Sequence, residues 1–71
     1  MVLAPREIAR IDIIIADAES RIERQRQLVA KLSAAGEPTE EAELALGLML
    51  GTLDYLRQLR LNYVVTPKDI S

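Results

Sequence analysis

Between Ile8 and Leu32 the chain repeats at alternating spacings of three and four: Ile8, Ile11, Ile15, Ala18, Ile22, Gln25, Val29, Leu32. That is a heptad seam, and it commits the stretch to one long helix with a single buried stripe. One class of seam position holds only β-branched residues (Ile8, Ile15, Ile22, Val29), and Ile14 and Leu28 widen the stripe on one side. Such a stripe cannot remain in water. The seam therefore dictates a partner helix, and the next question is which helix covers it.

The residues after Leu32 supply the first partner from the same chain. Gly36 can take the left-handed conformation that closes a helix, and Pro38 forbids its continuation. Thr39 is placed as the N-cap of a second helix, and Glu40, Glu41 and Glu43 put negative charge where a helix N-terminus favours it. Pro5 suits the first residue of the first helix. The reading is an all-α, antiparallel two-helix hairpin in a single domain over residues 1–71, with helices over about 5–35 and 40–62. Residues 63–71 read as a mobile or extended tail, with Tyr63 to Thr66 as extended chain or a frayed last turn and Pro67 as a stop. The antiparallel layout is expected to bring the basic end of the first helix (Arg21, Arg24, Arg26, Lys31) beside the acidic start of the second. Asp17 with Arg21 and Glu23 with Arg26 are spaced to pair on the exposed surface.

The second helix has more apolar surface than one neighbour can cover. Ala42, Ala45, Leu46, Met49, Leu53 and Leu56 make a face for the seam, while Leu44, Leu48, Gly51 and Tyr55 run along its flank, with Thr52 and Leu59 between the two stripes. A chain of 71 residues with no Cys and no His lacks the disulfides and most of the metal sites that stabilise small folds, which leaves oligomerisation. Aromatic content of 3% makes the core aliphatic, as helix-on-helix packing prefers. The expectation is a homo-oligomer, most simply a dimer forming a four-helix bundle. Its interface is expected at Leu44, Leu48, Gly51, Tyr55, Leu59, Ile15 and Ile22, with Gln25 fixing register or pairing with its symmetry mate. Gly47 and Gly51 mark either a lightly covered face or a close helix crossing in the oligomer.

Composition also removes functions. Without Cys or His there is no thiol nucleophile, no imidazole base and no ordinary zinc site, and no glycine-rich phosphate loop follows a strand. No cofactor and no metal are expected. A net charge of −2 gives no pull toward phosphate backbones, and Glu19 and Glu23 interrupt the basic cluster, so nucleic acid is not the expected partner. The longest unbroken apolar run, Ile13 to Ala16, is far below the roughly 18 residues that span a bilayer. A soluble, cytoplasmic protein is expected.

Two resemblances bear on this reading. The run from Ala18 to Arg60, most specifically Arg24-Gln25 ahead of Leu28 and then Gly36, Thr39 and Ala42 around the turn, resembles a loose group of short bacterial helical-hairpin proteins. That resemblance implies a fold and no activity, and Pro38 stands where such sequences often have Asp. Glu7 to Asp12 with Arg21 and Lys31 resembles the first helix of small all-α chorismate mutases. The arginines are not at that family's spacing, and the chain ends before the two further helices that would return an acid or amide to the site. The functional expectation is a non-enzymatic interaction or small regulatory module. A docking subunit that completes a helical bundle on a larger protein stands second, and a small all-helical enzyme third.

Overall fold

A computed structural model describes residues 5–65, and the side chains of 6–62. It has two helices, α1 (Pro5–Ala34) and α2 (Glu40–Val65), packed against each other as a hairpin. α1 ends one residue before the expected boundary and α2 begins at the expected residue. α2 continues three residues beyond Asn62, so Tyr63–Val65 are helical where extended or frayed chain was expected. The reason is local: Pro67 disfavours helical geometry only at the residue before it, Thr66, and leaves Val65 unrestrained. The rest of the expected tail, 66–71, lies outside the described residues.

The turn is a Schellman closure. Gly36 sits at φ 73° and is the only residue with positive φ among those described. Its amide donates to the Ser33 carbonyl at 3.1 Å, and the Glu37 amide donates to the Leu32 carbonyl at 2.8 Å. These bonds satisfy two of the carbonyls that a helix C-terminus leaves without partners. On the far side of Pro38, the Glu43 amide donates to the Thr39 carbonyl at 2.8 Å, which makes Thr39 the cap residue expected. Its hydroxyl donates to the Glu43 carboxylate at 2.5 Å, tying the cap to the first turn of α2 by side chains.

Every α1 residue that is not fully exposed is a member of the seam: Ile8, Ile11, Ile15, Ala18, Ile22, Gln25, Val29 and Leu32. Their counterparts on α2 are the expected Ala42, Ala45, Leu46, Met49, Leu53 and Leu56, joined by Leu59 and Arg60. The core between them is thin. Among the described residues only Ile22, Ala42 and Leu53 are buried, and no large side chain is completely enclosed. Two packed helices have no third element to close over their shared groove, so each seam residue keeps an open edge.

Shape and area agree with that. The molecule measures 58 × 16 × 12 Å with a radius of gyration of 16.4 Å, where a compact chain of this length has about 11 Å. Its accessible surface of 5468 Å² exceeds the roughly 4,400 Å² of a compact monomer of equal mass by on the order of 1,000 Å².

Candidate functional site: an uncovered apolar flank

The two long edges of the hairpin differ. On one edge, ion pairs cross from helix to helix. Arg57 donates to the Glu19 carboxylate at 2.8 Å, and Arg60 grips Asp12 with two donors, Nε to Oδ1 and Nη2 to Oδ2, the latter at 3.1 Å. The expected meeting of the basic end of α1 with the acidic start of α2 gives no ion pair among the described residues, nor does Glu23 with Arg26. Helix phase explains the difference. Arg24 and Lys31 point away from α2, and Glu40, Glu41 and Glu43 are off the face that Ala42 and Leu46 bury, whereas Arg60 lies on the hairpin face itself.

Those bonds hold the Asp12 carboxyl below its ordinary value of 3.8, through hydrogen bonding from Arg60 first and its positive charge after that, with desolvation opposing. Arg60 is correspondingly raised. A carboxyl depressed in the folded state contributes stability above its unfolded pKa and loses it as pH falls through the folded value. Wild type is therefore expected to lose thermal stability below about pH 4 more steeply than Asp12→Asn, as read by circular dichroism melts at stepped pH. Superimposable profiles would show that the pair contributes nothing.

The other edge is apolar. A shallow open groove of about 330 Å³ runs along it, floored by Ile14, Ala18, Leu48, Met49 and Leu56 and rimmed by Asp17, Arg21 and Thr52. The rim's polar groups are already engaged: Arg21 pairs with Asp17 at 2.9 Å, as its i,i+4 spacing predicted, and the Thr52 hydroxyl donates to the Leu48 carbonyl at 3.1 Å. A groove with satisfied polar edges and an aliphatic floor offers a ligand no directional hydrogen bonds. It is suited to apolar side chains. Leu44 and Tyr55 stand beside it at 68% and 65% exposure, Leu48 in its floor is 67% exposed, and Ile14 and Leu28 are also exposed. Helix phase puts these five on one flank, running from Leu28 and Leu44 near the turn to Ile14 and Tyr55 toward the open end.

The structure thus separates the residues expected at an oligomer interface. Leu44, Leu48, Gly51 and Tyr55 are exposed. Ile22, at 6% exposure, is covered within the single chain by α2, so it is a core residue of the hairpin and has little surface left for another molecule. Ile15 and Leu59 are half-buried in the same intrachain seam. Gln25 makes its hydrogen bond inside the chain: its Nε2 donates to the Ala42 carbonyl at 2.9 Å. A symmetry mate is not needed to satisfy that donor. Gly47 and Gly51 have open space where a Cβ would stand, so neither marks a close crossing of α1 and α2. Ile14 was read from sequence only as widening the seam, yet it forms the α1 side of the groove; its i,i+4 step from Arg10 and i,i+7 step to Arg21 was the available signal.

Among the described residues no helix is long and apolar enough to cross a membrane, and no cluster of acidic side chains has the arrangement of a metal site. Comparison with known proteins adds no family: no family model, no curated protein and no solved structure matches the chain significantly.

Proposed function

We propose that this chain is a non-enzymatic, homodimeric interaction module of the cytoplasm, in which two hairpins associate through their apolar flanks into a four-helix bundle and serve as a small regulatory or adaptor unit. One observation carries the reading: the exposed strip of Ile14, Leu28, Leu44, Leu48 and Tyr55 beside a core of three buried residues. The strip exposes roughly 600 Å² of side chain, at the upper end of the largest patch on a typical monomer. With its rim it approaches the ~800 Å² that each partner gives to a standard interface. Arg21 and Arg60 are each held by a carboxylate of the same chain. The lack of cysteine suits a reducing compartment.

Sedimentation equilibrium at micromolar concentration tests the reading. A dimer mass that dissociates on dilution, with helicity lost over the same range, is expected; a folded, helical monomer over the whole range would refute it.

Leu50 and Leu61 favour a second reading. Both are exposed on the ion-paired side, away from the strip, and pairing of two flanks leaves them uncovered. In that reading the hairpin docks on a larger protein and completes its bundle there, and a chain that becomes helical only with that protein present would favour it.

A further inference from the structure

α2 contains a glycine that no contact within the single chain calls for. Gly51 stands inside a 26-residue helix, where glycine is the poorest helix former after proline. A Cβ at this position would meet no atom within 4 Å, so no close packing inside the hairpin requires its absence. Its neighbours give the position a meaning. Leu44 and Leu48 precede it by seven and three residues and Tyr55 follows it by four, which places bare backbone within the exposed apolar stripe of α2. Leu48, Gly51, Thr52 and Tyr55, at i, i+3, i+4 and i+7, bound the kind of hole that receives a side chain from a facing helix. The Thr52 hydroxyl in this hole donates to the Leu48 carbonyl of its own helix at 3.1 Å, so covering the hole leaves that donor paired. Asp54, three residues on, turns to the side away from the stripe. Gly47 has the same open space but leans to that other side, toward Glu43, Leu50 and Asp54.

We propose that the two copies in the dimer meet through α2, whose Gly51 is a notch at which the two α2 helices cross closely, with Leu44, Leu48 and Tyr55 of each copy closing around the crossing. The inference rests on the homodimer reading above and names the contact at its centre. α2 contributes three of the five large residues of the strip, so a twofold contact centred there sets one stripe against its own copy. Packed helix axes stand about 8–10 Å apart according to the side chains between them, and a glycine at the contact permits the nearer approach. Area points the same way. The roughly 600 Å² of the strip falls short of the ~800 Å² that each partner gives to a standard interface, and a close crossing brings the borders of the strip under cover as well. Either direction of the second helix satisfies this contact.

Gly47 and Gly51 provide a matched pair for the test, because alanine fits at both positions in the single chain and favours the helix at both. Dimer dissociation is measured by sedimentation equilibrium, and helicity and melting by circular dichroism on the same samples. Gly47→Ala is expected to raise the melting midpoint by about 4–8 °C and to tighten the dimer, since a better helix former favours the folded hairpin that associates. Gly51→Ala is expected to weaken the dimer at least tenfold in spite of the same helical gain. Gly51→Leu is expected to weaken it further, although it adds apolar surface to the strip. Gly51→Ala and Gly51→Leu dimers as tight as wild type or tighter would overturn the crossing and leave the homodimer standing, as would a Gly47→Ala dimer weakened as much as Gly51→Ala. A wild type that is helical and monomeric over the whole concentration range would overturn both.

Discussion

Leu48→Glu is expected to abolish assembly and most of the helicity at micromolar concentration, while Ile13→Glu leaves both within error. The two residues make a controlled pair, since both are large aliphatics at 67% and 68% exposure in the single chain. They differ only in face. Leu48 floors the groove between the helices, whereas Ile13 lies on the outer side of α1. In the proposed dimer each substituted chain would bury a carboxylate in the apolar interface. A desolvated, unpaired carboxylate costs on the order of 3 kcal/mol or more, which weakens dimerisation at least a hundredfold at about 1.4 kcal/mol per decade. Analytical ultracentrifugation and circular dichroism on the same samples read both quantities. Equal effects from the two substitutions would mean that the strip is not the associating face.

That comparison depends on knowing which face is which, and the two helices were unequally legible. In α1 one stripe carries all the heptad positions, so period alone assigned the inward face, and every assigned residue is at least half-buried. The turn was equally legible because its chemistry is local: Gly36 is the residue that tolerates a φ of 73°, and Pro38 follows it. α2 is apolar around most of its circumference, so period cannot separate the face that meets α1 from the face left open. Leu59 was accordingly set between stripes and belongs to the hairpin seam. Ile22 was given to an interface and is consumed by the chain's own core.

Contacts between helices were least legible, because they depend on axial register. A shift of one residue moves each helix position by about 100° around the axis and 1.5 Å along it. The Asp12–Arg60 and Glu19–Arg57 pairs follow from that register and from no sequence motif. Gln25 stands between the two cases: its place on the seam was evident, and its anchor on the Ala42 carbonyl required the register to be known.

Leu53→Ala is the second substitution with a large expected effect, and its form separates a core that is sufficient alone from one that is completed by association. Leu53, at 5% exposure, and Ile22 are the two large side chains buried among the described residues. Truncating a buried leucine costs about 2–5 kcal/mol; with an open groove beside it that can partly collapse, the lower half of that range applies. In a domain of this size each kcal/mol lowers the melting midpoint by roughly 4–8 °C, so a fall on the order of 10–20 °C is expected. Association binds only the folded hairpin, so mass action must restore part of the loss as protein concentration rises. Melts of wild type and Leu53→Ala at 5-fold and 50-fold above a common dilution should therefore shift upward together, with the variant unfolded at the lowest concentration. A variant whose midpoint is low and independent of concentration would show that Leu53 supports a self-sufficient monomer, and the apolar flank would then need another explanation than a second copy of the chain.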